Sequence, residues 1–220
     1  MNVYTYGEVP DLAVDELMDV RARADQAAEQ HARALLAELG MPCDDESTEA
    51  TPGRFVRALR ELTSGLREDP DRHLQRTFPP PSDDPGMIIV PGVPFVSLCE
   101  HHLLAFTGTA TVAYVPTPGA RIVGLSKLAR ITREYAARPQ VQERLGDQIV
   151  QAITRNLDTA GAACIIRSVH TCMTIRGVRA AGAAMVTSHL TGEFRENAAM
   201  RAEFLQLAAE RPDSRGAGLM

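Results

Sequence analysis

Ser97-Leu98-Cys99-Glu100-His101-His102 is the densest run of chemically capable side chains in this sequence. Cys99 and His102, with two residues between them, can close on one metal ion from a tight turn, although a tetrahedral site asks for more donors than this pair. His170-Thr171-Cys172 offers another, at the junction of two segments that read as strands. Cys99, His102 and Cys172 would form a shell of two thiolates and one imidazole, with a fourth position left to water. Three protein ligands plus water is the catalytic arrangement of zinc, whereas structural zinc closes with four. On residue types alone another reading stands equally: Cys99 and Cys172 as buried apolar thiols, with the histidines as satisfied core groups.

A cationic cluster is the second signal. Ser126-Lys127-Leu128-Ala129-Arg130 opens a predicted helix, where free backbone N–H groups and the helix dipole favour an anion. Arg176, four residues after Cys172, can add charge, as can Arg54 and Arg57 on an earlier helix. Taken singly, each of these is more ordinarily a solvated helix face. The third signal is Gln140-Val141-Gln142-Glu143-Arg144-Leu145, again at a helix start. A carboxylate there can receive two parallel donors from a planar amidine-like edge such as that of guanine. It can equally be an N-terminal acid complementing the dipole.

The elements that must position these groups read as follows. Asp11 as cap and apolar steps through Leu17, Val20, Ala24, Ala27, His31 and Leu35 predict a helix over 12–39, stopped by Gly40. Thr51 and Pro52 open a second helix with Phe55, Leu59 and Leu62 on one face, ending near Gly65. Residues 67–86, with five prolines among Asp and Arg, read as a loop or linker. Beyond it, Met87–Val90, Phe106–Val115, Ile122–Leu125, Ala162–Val169, Met173–Val178 and Met185–Leu190 read as strands. Helices are expected over Ser126–Glu134, Gln140–Leu157 and about Ala198–Ala209. The order favours an α+β fold, an antiparallel sheet carrying helices. The expected organisation is an N-terminal helical region over 1–66, the linker, a catalytic domain over 87–210 and a flexible tail over 211–220.

Composition sets limits on partners. The 220 residues carry 23 Lys and Arg against 28 Asp and Glu, a net charge of −5, so the chain lacks the basic excess of a non-specific nucleic-acid binder. A local cationic pocket remains compatible with that total. No run of apolar residues reaches the roughly 18 needed to span a bilayer, and the first residues lack a signal-peptide layout. Four cysteines are too few for a disulfide framework in a chain this long and suit a reducing compartment, so a soluble cytoplasmic protein is expected.

Together, the blocks from Ser97 to Leu104, Gly124 to Arg130, Gln140 to Leu145 and His170 to Val178 resemble GTP cyclohydrolase I, in that family's order, within a resemblance running from about Thr51 to Leu207. The resemblance implies a T-fold (tunnelling fold) catalytic domain and a homodecamer of two facing pentamers, with active sites where subunits meet. It implies that Cys99, His102 and Cys172 hold Zn2+ and that Glu143, helped by Gln142, anchors guanine. Lys127, Arg130 and Arg176 would receive the triphosphate of GTP, with Arg54 and Arg57 reaching in from a neighbouring subunit. Ser126, His101 and His170 would serve the ribose and the proton transfers. The implied reaction converts GTP and water to 7,8-dihydroneopterin triphosphate and formate. A zinc shell with two thiolates is formally neutral and acidifies water less than an all-histidine shell, so help from His101 or His170 is expected.

Some positions depart from the family's usual pattern. Ala105 stands where proline is usual, Thr109 and Thr111 where lysine and histidine are, and Ala183 and Met185 where hydroxyl residues are common. These leave room for a specialised paralogue feeding a secondary pterin or deazapurine pathway. Two rivals remain. A catalytically inactive zinc-binding scaffold would have no use for His101, His170 and Glu143 together. The related nitrile reductase of queuosine biosynthesis lacks the Cys-Glu-His-His turn. Cys164, in an apolar strand, is expected simply to pack.

Overall fold

The computed structural model describes residues 14–209, with side chains from residue 22 onward. Asp11, the side chains of Leu17 and Val20, and the expected tail over 211–220 lie outside the described residues. The chain forms two compact units, one up to Glu61 and one from Leu62.

The first unit holds α1 (Val14–Glu38) and most of α2 (Thr51–Leu62). The buried stripe of α1 sits one position away from the expected one. Ala32 is buried and Asp25, Ala28 and Leu36 are half-buried, while Ala24, Ala27, His31 and Leu35 are exposed. Arg33 ties the connection between the helices by donating to the carbonyls of Cys43 (2.9 Å) and Glu49 (2.7 Å). On α2 the expected face is only partly realised, because Phe55 is exposed.

The second unit is built on a five-stranded sheet in the order β5-β2-β3-β6-β7. Its strands are β2 (Ile88–Cys99), β3 (Ala105–Pro116), β5 (Pro139–Gln140), β6 (Thr159–His170) and β7 (Met185–Leu190). All neighbours are antiparallel except β2 and β5, which pair in parallel. A small second sheet pairs β1 (Thr77–Phe78) with β4 (Ile122–Val123). The two-residue alternation of a strand puts opposite sets of side chains on opposite faces. Ala110, Val112 and Tyr114 of β3, with Ala162, Cys164 and Ile166 of β6, meet α3 (Leu125–Ala136) and α4 (Gln142–Asn156). These helices contribute Leu128, Ile131, Leu145, Ile149 and Ile153 to the core. Ala113, Ala163 and Ile165 point the other way, against Phe194 of α6 (Glu193–Glu196) and Phe204 and Ala208 of α7 (Ala198–Ala209). Cys164 packs as expected: it is fully buried, and that burial pushes its thiol up to about 12.

Two expectations change. The segment 67–86 is built into the larger unit over its first half. A 3-10 turn over Pro70–Leu74 seats Leu74, fully buried, in the main core. From the same turn, Arg72 grips Glu134 with two 2.8 Å bonds and Asp71 reaches α3 and α4. The expected strand over Met173–Val178 is absent. Its start lies in the single turn α5 (Thr171–Thr174), and Gly177 and Arg179 follow with φ of 59° and 50°. Left-handed backbone at two nearby positions breaks the extended conformation that the apolar residues suggested. No helix among the described residues is long and apolar enough to cross a membrane.

Candidate metal centre and substrate site

Strand register brings Cys99, His102 and Cys172 together. β2 ends at Cys99 and β3 begins at Ala105, with Leu98 paired to Ala105. The turn between them is closed by Cys99 N–H donating to Leu104 O (2.8 Å), while the N–H groups of His102 (3.2 Å) and Leu103 (2.8 Å) both donate to Cys99 O. Leu103 holds φ at 52°, a left-handed conformation that costs a side-chain-bearing residue about 1–2 kcal/mol. One strand further on, Phe106 pairs with His170, the last residue of β6. Thr171 then donates its hydroxyl to Ala105 O at 2.5 Å, which brings the turn carrying Cys172 against the turn carrying Cys99.

One ligand atom each from Cys99, His102 and Cys172 lies within 4.8 Å of the others. Cys99 Sγ stands 3.9 Å from His102 Nδ1 and the same 3.9 Å from His101 Nδ1. Bond lengths of about 2.3 Å to sulfur and about 2.0 Å to nitrogen place tetrahedral donors roughly 3.5–4 Å apart, so the cluster suits a zinc-sized ion. Its donor chemistry suits zinc too, since two thiolates balance a dication. Cys99 is buried, Cys172 half-buried and His102 exposed, so one side of the cluster faces outward. Burial pushes the Cys172 thiol up and the adjacent Cys99 pushes it further, so an ion must displace a firmly held proton to bind. Arg176 Nη1 lies 3.1 Å from His102 Nε2, beside the cluster.

The neighbouring residues of this turn are tied to α4. Glu100 N–H donates to Gln140 O at 3.0 Å, and its carboxylate pairs with Arg144. Arg144 also donates to Gln140 Oε1 (3.0 Å) and Pro139 O (3.2 Å). The turn carrying Cys99 and His102 is therefore locked to the first turn of α4, which presents Glu143 at the surface. His170 lies between them, stacked on Phe106 with ring centroids 4.3 Å apart and planes 6° from parallel. Burial lowers the His170 imidazole, and the Glu143 charge acts in the opposite sense.

Gln142 meets a geometry different from a guanine contact. Its side chain is 1% exposed, and both ends are occupied by protein. Nε2 faces Ile166 O (3.2 Å), Met185 O (3.3 Å) and Thr187 Oγ1 (3.2 Å), while Oε1 takes the Ser168 hydroxyl and lies 3.0 Å from His170 Nε2. Glu100, Phe106, Arg144, Ser168 and Thr171 were given no role from sequence. Only Glu100 and Arg144 carried a signal, as charged residues inside the chemically dense blocks.

The structure thus gathers Cys99, His101, His102, Gln142, Glu143, His170, Cys172 and Arg176 at one end of the sheet. It does not bring Ser126, Lys127 and Arg130 there. Their helix α3 follows Val123, whose N–H donates to the Tyr114 hydroxyl at 3.0 Å, and Tyr114 pairs with Ile88 at the far end of β2 from Cys99. A strand of that length runs about 35 Å. Arg54 and Arg57 are exposed on α2 in the first unit.

Comparison with known proteins gives a consistent picture. The profile of the family described as GTP cyclohydrolase I matches residues 28–209. GTP cyclohydrolase 1 of Pelotomaculum thermopropionicum is 45% identical over 179 residues, 81% of this chain and 94% of that protein. The proteins of the same name from Mycolicibacterium vanbaalenii and Mycobacterium tuberculosis are 46% and 44% identical, over 84% and 86% of this chain and 92% of each relative. A solved structure, archaeosine synthase QueF-Like in the apo form, aligns at a TM-score of 0.41 and 14% identity over 49% of this chain and 95% of that one, too remote to bear on function.

Proposed function

We propose, on the premise that this chain belongs to the GTP cyclohydrolase I family, that the Cys99–His102–Cys172 cluster and the groups around it form the centre at which GTP is opened. The protein is a GTP cyclohydrolase: it opens the guanine ring of GTP hydrolytically, in pterin biosynthesis, giving 7,8-dihydroneopterin triphosphate and formate with net use of one water. The observation that carries the site assignment is the convergence of three metal-ligating atoms within 4.8 Å in a chain of this family.

Cys99, His102 and Cys172 would hold a zinc ion, which would supply Lewis acidity for hydrolytic attack at carbon 8 of guanine. The chain's own residues do the rest. Glu143 accepts the paired N–H donors of the guanine amidine edge, fixing the base in one orientation. His170 and His101 move protons to and from the ring nitrogens as the five-membered ring opens and the formyl group leaves as formate. Arg176, beside the metal cluster, takes one end of the triphosphate.

Ser126, Lys127 and Arg130 serve a ribose triphosphate bound at the Cys99 of another copy, because their own Cys99 lies at the opposite end of β2. Arg54 and Arg57 join from a neighbouring copy too. A closed homo-oligomer of T-fold domains, a decamer of two pentamers, meets that requirement, and the cytoplasm, with its reduced thiols and its GTP, is the fitting compartment.

The test combines metal analysis with detection of formate and, after oxidation, pterin fluorescence from GTP. Stoichiometric zinc with both products is expected. Zinc-free protein that still produces both would overturn the metal assignment.

A further inference from the structure

His170 has two ring nitrogens, and the packing of Gln142 distinguishes them. We propose that Gln142 is a positioning residue that fixes His170 as the Nε2–H tautomer, so that proton exchange with the substrate runs through Nδ1. The inference rests on the proton-transfer role given to His170 above.

The argument is one of donors and acceptors. A carboxamide has an end that only donates and an end that only accepts. One end of Gln142 faces two backbone carbonyls, Ile166 O at 3.2 Å and Met185 O at 3.3 Å. Carbonyls only accept, so that end must be the NH2. Reversing the amide would set an oxygen against two oxygens in a site that is 1% exposed, where no water can relieve it. The other end is therefore Oε1, a pure acceptor. Both of its neighbours must then donate: the Ser168 hydroxyl and His170 Nε2, which lies 3.0 Å away.

His170 consequently carries its hydrogen on Nε2 whether the ring is neutral or charged, and in the neutral ring the free lone pair is on Nδ1. Turning the ring by 180° within its stack on Phe106, at 4.3 Å and 6°, would put the carbon Cε1 where Nε2 now meets Gln142 Oε1 and forfeit that bond, so the orientation with Nε2 on the amide oxygen is kept. Ser168 is held in turn by the close approach of β3. A Cβ at Gly108 would come within 2.1 Å of Arg167 O and 2.7 Å of Ser168 Cβ, so a bare glycine lets the strands meet there. The amide that sequence suggested for guanine is thus spent on orienting the histidine.

The test is solid-state NMR of zinc-loaded protein with isotope-labelled histidine ring nitrogens, His170 being assigned by the signal lost in His170→Asn. The expected spectrum has a protonated Nε2 and a bare Nδ1 in the wild type, unchanged in Ser168→Ala. In Gln142→Leu the tautomers should mix, and kcat for formate release should fall about 10- to 100-fold, as for other partners that orient a histidine, with KM for GTP nearly unchanged. A bare Nε2 in the wild type overturns the proposal even if Gln142→Leu fails to fold. A Gln142→Leu protein with raised KM and normal kcat overturns it in favour of a guanine contact. Wild-type protein that releases no formate from GTP would strike at the reaction itself, whereas the ring spectrum is read without turnover.

Discussion

Tyr135 donates its phenolic proton to Asp71 Oδ1 across 2.5 Å, joining α3 to the 3-10 turn that precedes the sheet. Arg155 and Asn156 at the end of α4 donate to the other carboxylate oxygen, each at 2.8 Å. Burial alone would raise the Asp71 carboxyl, but these donors outweigh it and hold it below its ordinary 3.8. Burial, reinforced by Asp71, keeps the Tyr135 phenol protonated above its ordinary 10.0. A depressed carboxyl stabilises the fold above its ordinary value, and that contribution is lost as pH falls through the lower folded value. A raised phenol stabilises below its ordinary value, and that contribution is lost as pH climbs. Wild-type stability should therefore drop below about pH 4 and again above about pH 10. Tyr135→Phe should cost about 1–2 kcal/mol at neutral pH and flatten the alkaline limb, as read from urea unfolding across pH.

Arg144 of α4 pairs with Glu100 in the turn that carries Cys99 and His102. Breaking that pair in Glu100→Gln or Arg144→Ala should loosen the turn while leaving every ligand in place. Zinc affinity is expected to fall about 10- to 100-fold in competition with a chromophoric chelator, with far-ultraviolet circular dichroism unchanged. Equal affinity in both variants would remove this ion pair from the account of the metal turn.

Glu143 is exposed in the first turn of α4, and in the proposed function it takes two donors from guanine. Glu143→Gln keeps its size but turns one accepting oxygen into a donor. Loss of a charge-assisted bond is worth about 1.5–3 kcal/mol. KM for GTP should rise by about one to two orders of magnitude, with zinc content unaltered. Steady-state kinetics on metal-replete protein provides the check.

His170→Ala should keep its zinc and lose about 100- to 10,000-fold in turnover, the usual worth of a positioned proton donor or acceptor. Zinc content and formate release are to be measured on the same sample. Full zinc with normal turnover would leave His101 as the proton carrier.

The sheet and the grouping of Cys99, His102 and Cys172 were legible in the sequence because each rests on local pattern. Alternation marked β3 and β6, and two short blocks marked Cys99, His102 and Cys172. Leu74 was missed because prolines and charges surround it, and its burial comes from contacts far away in the chain. The turn at Thr171 was masked by apolar residues that are in fact exposed, Ile175 and Val178 among them. The packing of Gln142 was hidden for a related reason. Its neighbour Glu143 is exposed in the first turn of α4, whereas Gln142 points inward, and only the paired strands supply the carbonyls that fix it. Spacing along a helix start does not distinguish those two directions.

The cationic opening of α3 sits at the wrong end of its own sheet for its own Cys99. In the assembly we propose, competence is a property of neighbours, which has a genetic signature. A chain carrying Cys99→Ser and one carrying Lys127→Ala should each be silent when assembled alone. Unfolded together and refolded as a mixture, they should regain part of the wild-type rate, because some junctions inherit an intact half from each parent.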